Sequence, residues 1–454
     1  MFERIDEKRW AAYIEANQPR FLDELYELLR VPSVAAQKRG ITEAAALVKR
    51  RLIQLGAEVR VFSMNGGSPI ICATIGNGDR RLLVYDHYDV QPEDPLDLWV
   101  SEPFEPTIRD GKLYARGVAD NKGNLMLRLQ TVEAWLATQG DLPISLVFLI
   151  EGEEEVSSHS LPTFCRTHAD LIKADGCLWE TGYINIDEYP VITCGAKGIQ
   201  NVELVAHGAR IDQHSSIATI VPNPAWRLTW ALASLKGPDE RILIPGHYDA
   251  VRPPSAADMA ALERIPANDD ILLADLGISS FLLDVSGWER LRRHLFEPTC
   301  TICGLTSGYS GEGFKTVLPN TARAKLDFRL VPDMRPSTVL QNLRQHLSDE
   351  GFGDIEVIDL GGEYPSRSDI ESPIAQAMVA AAEATYHRPA VLYPTMAGSG
   401  PMYVVGEERG IPIASGAGCG YYGMQIHAPN EHIRLKDYWL AMDWMARFIA
   451  AFGA

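Results

Sequence analysis

The sequence predicts an α/β protein, a mixed-sheet domain interrupted by a smaller inserted α+β unit. Three observations carry that reading. Helical and strand patterns alternate through the first two hundred residues, as a mixed or parallel sheet requires. After Val191 the pattern changes to a strand–helix–strand–helix–strand grouping of its own. Helical spacing then returns near the end, so the first domain is expected over 1–197 and 373–454 and the inserted one over 198–372. Dividing 454 residues by a typical domain length of about 150 is compatible with two or three domains.

Taken in order, apolar spacing predicts helices over 23–29 and 43–55, the second ending at Gly56. Strands are expected at Glu58–Phe62, Ile70–Ile75 and 81–90. A helix from Lys122 to about Thr138 leads into the apolar run 144–150, which reads as a buried strand. In the insert, Gly198–His207 alternates as a strand, and Pro224–Leu235 is a helix following Asn223. Pro and Gly punctuate the chain from about 241 to 316, where short helices are expected. A strand at 322–330, a helix at 337–347 and a strand at 355–359 follow. The helix 373–385, the loop 396–401 and the helix 436–451 complete the first domain.

Apolar residues make up 46% of the chain and charged ones 22%, which is ordinary for a globular protein able to bury a core. Asp and Glu total 60 against 42 Lys and Arg, a net charge of −18. That balance argues against nucleic acid or a membrane surface as partner and suits cation binding. No apolar run approaches the roughly 20 residues of a membrane span. The N-terminal stretch MFERIDEKRW carries charges where a secretory signal needs an apolar segment. Seven scattered cysteines form no disulfide framework, and Cys300 and Cys303, a lone CxxC, read as reduced structural thiols. A cytoplasmic protein is expected.

Acidic and histidine clusters fall at expected strand ends, where open α/β sheets bind ligands. His87 and Asp89 in HYD share a strand face, so the imidazole can bind a metal while the carboxylate orients it. Asp120 sits just before a helix, where it could equally be an N-cap. Glu151, Glu153, Glu154 and Glu155 crowd the end of an apolar strand, which like charges tolerate only in solvent or around cations. Glu180 follows in CLWETG, and QIHAPNEHIRL supplies His427, Glu431 and His432. Together His87, Asp120, Glu155, Glu180 and His427 form an N,O ligand set suited to zinc, manganese or cobalt. One carboxylate bridging two ions would make a two-metal hydrolytic centre, with Glu154 left free as general base.

The segments HYDVQP, ARGVADNKG, EGEEEVSS, the later Glu180 and HAPNEH, in this order, resemble the carnosinase, aminoacylase and carboxypeptidase G family of di-zinc exopeptidases. DQHSS at 212–216, VPNPAW, IPGHYD, KTVLP and FRLVPDMRP are similar to its dipeptidase branch, and the likeness runs from about Phe21 to the end. It implies a zinc-exopeptidase catalytic domain whose insert is a lid and dimerisation domain. It implies Asp120 as the bridging carboxylate, His87 and Glu180 as ligands of opposite ions, and Glu155 and His427 completing the set. Glu154 becomes the catalytic base and Asp89 the carboxylate behind His87. His214 would reach the partner subunit's site in a homodimer, while Thr316, Arg329 and Ser399 would bind substrate.

The sequence also departs from the family. Asp86 replaces a usual Gly, Asn121 an acidic or apolar residue and Ser157 a Gly, while SSIAT after His214, which includes Ser216, stands where a Gly-rich run is usual. The expected activity is hydrolysis of an amide beside a free carboxylate, as in a dipeptide. Its nearest rival is an N-acyl, N-carbamoyl or N-succinyl amino-acid deacylase, and a remoter one is a metal-binding homologue without catalysis. No GxSxG elbow supports a serine hydrolase, and SGAGCGYYG lacks the spacing of a dinucleotide site.

Overall fold

Strands that are apolar on both faces need cover on both faces, and this sets the plan of the first unit. The computed structural model describes residues 5–454, which divide into two units. The first comprises residues up to 195 together with 367–394 and 401–454; the second comprises 196–366 and 395–400. In the first, Ser145–Glu151 is buried along its whole length, and Arg81–His87 along all but its first residue. These two run parallel in register from Arg81 opposite Ser145 to His87 opposite Glu151. Gly176–Trp179 joins the other side of Arg81–His87, also parallel. The ten-stranded sheet continues on one side through Ile70–Ile75 to Glu58–Phe62, and on the other through Ile413–Ser415 and Pro190–Thr193. The sheet is mixed, since Ile70–Ile75 pairs antiparallel with Ser145–Glu151.

Helix Lys122–Thr138 is buried nearly all round, as expected for a helix enclosed by others. It packs against Glu7–Leu29 and Leu435–Phe452. The first of these starts far earlier than the expected 23–29. Trp10, Ile14, Phe21, Leu25 and Leu28 form one buried stripe, and Pro19, which suggests a break in the sequence, lies on the exposed side. Asp6 caps it by accepting from the Arg9 amide. No helix among the described residues is long and apolar enough to cross a membrane.

The second unit is built on a four-stranded antiparallel sheet in the order Thr301–Ser307, Thr321–Leu330, Gly198–His207, Glu356–Glu363. Alternation sends Val202, Leu204 and Ala206 inward against Leu326, Phe328 and the helices Pro224–Leu235 and Pro336–Asp349. Three short helices form in the punctuated stretch, as expected, at Ala256–Glu263, Asp269–Leu276 and Gly287–Phe296. The edge strand Thr301–Ser307 was not foreseen. It is exposed almost throughout, so no apolar alternation marks it, and backbone pairing alone defines it. Cys300 is buried in this unit's core, whereas Cys303 on the edge strand places its Sγ 3.1 Å from Asp327 Oδ2. The loop 396–401, expected in the first domain, groups with the second unit except for Pro401.

His247 is a buried imidazole against Phe328 and Tyr248, with neither ring nitrogen hydrogen-bonded. Burial pushes its pKa down to about 4. An unfolded imidazole titrates near ~6.5, so as pH falls the unfolded chain takes up the proton first. The stability tied to His247 is therefore full above about pH 6.5 and declines on the way to about pH 4, by on the order of 2–3 kcal/mol. Replacement His247→Phe should flatten this part of the acid response. Thermal unfolding of wild type and variant at neutral pH and in mild acid tests it, and identical pH responses would count against it.

Candidate active site

The sheet's parallel strands end at one edge of the first unit, and their C-terminal residues deliver the candidate groups. His87 closes Arg81–His87, Glu154 and Glu155 lie in the turn after Ser145–Glu151, and Glu180 follows Gly176–Trp179. Asp120 precedes helix Lys122–Thr138, and the Asp120–Asn121 peptide is cis. His427 arrives from the loop before the C-terminal helix, with a positive φ of 61°.

The groups converge as two triads that share Asp120. His87 Nε2 lies 3.0 Å from Asp120 Oδ1 and 3.3 Å from Glu180 Oε2. His427 Nε2 lies 3.3 Å from Asp120 Oδ2 and 3.3 Å from Glu155 Oε2. Each oxygen of one carboxylate thus faces its own His–Glu pair. This corrects one expectation: His87 and Glu180 belong to the same triad, because their strands are adjacent and parallel and end side by side. Atoms of Asp120, Glu155 and His427 all lie within 4.8 Å of one another, the spacing of ligands around one ion.

The chemistry of these groups fits cations. Gln91 Nε2 donates to Glu155 Oε2 at 2.7 Å, and Trp179 Nε1 to Glu180 Oε1 at 3.2 Å. The other oxygens, Glu155 Oε1 and Glu180 Oε2, are buried without a hydrogen bond, a costly state that a metal ion would relieve. His87 Nδ1 sits 3.0 Å from the Asp89 carbonyl oxygen and 3.4 Å from its Oδ1, which leaves Nε2 to face Asp120 and Glu180. Residues His87, Asp120 and Glu180 could hold one divalent ion, and Asp120, Glu155 and His427 a second.

Electrostatics reflects the crowding. Burial, then the charge of Glu180, raises the Glu154 pKa well above the usual carboxylate range. Burial lifts Glu180 to about 8 against the pull of His87. Burial would also raise Asp120, but hydrogen bonds from His427 and His87 hold it well below its ordinary value. His427 is pushed up to about 10 by its bonds to Asp120 and Glu155.

Several residues support this site in ways that the sequence does not show. The buried Glu431 carboxylate accepts from Arg116 Nη1 and from the amides of Gly117, Ala119 and Asp120, at 2.8–3.1 Å, and so fixes the Asp120 loop. Its neighbour His432 instead stacks on Tyr114. Asp89 does more than back His87, since its two oxygens accept from the amides of Glu154 and Glu155. Of the four glutamates in EGEEE, Glu151 is held by Tyr85 and Ser158, and Glu153 by the amides of Ser68 and Ser160. Only Glu154 and Glu155 face the triads.

The departures also find their places. Asn121 Nδ2 donates to Asp86 Oδ1 at 2.7 Å, and Arg128 pairs with the same oxygen while donating to the carbonyls of Tyr85 and Trp179. Ser157 adopts φ 72°, a region that favours glycine. In the second unit, His214 is exposed; its Nδ1 accepts from the Ser216 amide, and its Nε2 lies 3.3 Å from Thr316 Oγ1. Arg329 Nη1 donates to Ser399 Oγ at 2.8 Å, which joins those two candidates.

Fold and site together define a metal-dependent hydrolase. Residues 83–451 match the peptidase family M20/M25/M40, and the chain belongs to that family. It is 31% identical to the Beta-Ala-His dipeptidase of Rattus norvegicus over 363 residues, 74% of this chain and 72% of that protein. It is 28% identical to the Cys-Gly metallodipeptidase dug1 of Schizosaccharomyces pombe over 358 residues, 74% of each chain. Among solved structures, the M20 family metallo-carboxypeptidase Sso-CP2 from Sulfolobus solfataricus superimposes with a TM-score of 0.89 at 35% identity, covering 95% of this chain and 99% of that one.

Because only Asp120 belongs to both triads, Asp120→Ala should release both ions, whereas Glu155→Gln should weaken one. Metal analysis after gel filtration reads this directly. Full retention of metal by Asp120→Ala would refute the shared-carboxylate assignment.

Proposed function

We propose that the protein is a two-metal dipeptidase that hydrolyses the amide bond of small peptides with a free terminal carboxylate. The observation that carries this reading is the shared Asp120, one oxygen toward each His–Glu pair, with the Glu154 carboxylate close enough to feel their charges but without a hydrogen bond or ion pair among the described residues. Zinc is the favoured ion, and manganese or cobalt also suits an N,O ligand set. Likeness to two dipeptidases supports a dipeptide over an acyl amino acid as substrate.

When bound, divalent ions at these residues acidify water, polarise the scissile carbonyl and draw Glu154 back toward an ionised base. Glu154 accepts a proton from the attacking water and, once protonated, hands it to the leaving amine. Asp89 holds the Glu154 and Glu155 amides, so base and ligand keep their separation through the cycle. Arg329 grips the substrate's terminal carboxylate, an arrangement suited to a planar guanidinium, with Ser399 and Thr316 as further contacts.

His214 serves the partner subunit's site in a homodimer formed through the second unit. Support comes from the exposure of His214 and from apolar side chains exposed on this unit, including Ile302 and Leu305 on the edge strand and the stacked Trp226 and Trp230. All seven cysteines are free thiols, which favours a reducing, cytoplasmic location.

Glu154→Gln should keep its metal while turnover falls by about two to four orders of magnitude. A panel of dipeptides and N-acyl amino acids, offered to the metal-loaded enzyme, should show dipeptides cleaved faster; the reverse order would replace the proposed substrate. Mixing inactive His214→Ala and Glu154→Gln proteins should restore one working site per heterodimer. Verified heterodimers without recovery would reject the role of His214 across the interface.

A further inference from the structure

The second unit contains a cavity of about 1190 Å³, which is large for one small amino-acid residue. Seven Lys and Arg but only four Asp and Glu line it, in a chain whose net charge is −18. Most of these cations are already neutralised. Glu297 pairs with Arg292 and Arg293, and Glu240 with Lys236. Three of the lining cations are left without an ion-pair partner among the described residues: Arg241, which lies over the Tyr248 ring, and Lys197 and Arg329. Lys197 and Arg329 are close in the fold, since Ile199, two residues beyond Lys197, is the cross-strand partner of Arg329. Glu363 pairs with the opposite side of Ile199, two strands from Arg329; no ion pair joins them, although burial raises the Glu363 pKa against the pull of the Arg329 charge.

Lys197 is the more telling of the two. Only 2% of it is exposed, and its ammonium makes one hydrogen bond, to the Glu297 carbonyl oxygen at 2.6 Å. Burial lowers its pKa to about 8 against the charge of Glu297, itself ion-paired with Arg292 and Arg293, so the group keeps its proton at neutral pH. A buried cation with a single neutral acceptor is unfavourable unless an anion completes it. A substrate's terminal carboxylate accounts for Arg329, but a second, adjacent cation is then unspent.

We propose that this cavity receives a carboxyl-side substrate residue bearing a second acidic group, Asp or Glu, whose side-chain carboxylate pairs with Lys197 while Arg329 holds the terminal one. The proposal rests on the reading of the chain as a hydrolase of substrates with a free terminal carboxylate. Thr299, whose Oγ1 accepts from the Arg329 amide at 3.1 Å, lines the same cavity and fixes the backbone between the two cations.

The test compares isosteres that differ only in charge. On the metal-loaded enzyme, kcat/KM for Ala-Glu should exceed that for Ala-Gln by about tenfold or more, the difference residing mainly in KM. The Glu-over-Gln ratio should fall toward one in Lys197→Met and be retained in Lys197→Arg. A wild-type ratio near one overturns the proposal without recourse to any variant, and so does an unchanged ratio in a folded Lys197→Met. If dipeptides are not cleaved but N-acyl amino acids are, the dipeptidase reading fails alone; N-acetyl-Glu against N-acetyl-Gln then decides the subsite by the same ratio.

Discussion

The structure depends on one electrostatic constraint: several carboxylates must be held together, out of water, without repelling one another apart. In a poorly polarisable interior that is tolerable only if each charge is tied to a donor or shared with a cation. The first unit meets the demand by division of labour. Carboxylates facing away from the triads are fixed by buried donors: Asp86 by Arg128, Glu431 by Arg116, Glu151 by Tyr85 and Ser158. Those facing inward keep an oxygen without a protein donor, as Glu155 and Glu180 do. Asp86 and Glu151 also keep one buried oxygen without a donor, but only those of Glu155 and Glu180 belong to the triads, where ions can answer them.

Arg128 shows how far this organisation reaches. One guanidinium pairs with Asp86 and donates to the carbonyls of Tyr85 and Trp179, so it clamps the two strands that end in His87 and Glu180. Asn121, next to the shared Asp120, joins the same oxygen of Asp86. Two residues that look like separate departures from a family pattern are therefore one adjustment. A buried carboxylate in place of a glycine needs both an amide and a cation, and Asn121 and Arg128 provide them.

Much of this was legible in the sequence because it resides in periodicity and in order. The bounds of Gly198–His207 and Pro224–Leu235 follow from alternation and from an N-cap, and those of Lys122–Thr138 from its apolar character. The five candidate ligands stand out because acids and histidines after apolar strands are conspicuous. Which groups pair was not legible, since this depends on His87 and Glu180 lying on adjacent parallel strands, a fact of topology. The supporting roles of Gln91, Trp179 and Glu431, the last conspicuous only as an acid between two histidines, were hidden for a different reason. Each acts through one hydrogen bond or a few to a residue distant in the chain, and no local pattern encodes that. Short strands such as Ile413–Ser415 were also missed, being too brief to show a period.

That same three-residue strand has a consequence for how the protein must be made. Ile413–Ser415 occupies a slot in the middle of the sheet, between Gly176–Trp179 and Pro190–Thr193. A ribosome delivers both neighbours, and the entire second unit, before it delivers the strand that joins them. Until then the nascent sheet carries a gap at its centre, lined by apolar strands with unpaired backbone groups, the kind of edge that recruits other chains. A nonsense codon between Pro190–Thr193 and this strand would leave that gap permanently open and would also delete His427. Late truncations of the message should therefore yield an adhesive folding intermediate, a burden on chaperones, in place of a weakened enzyme.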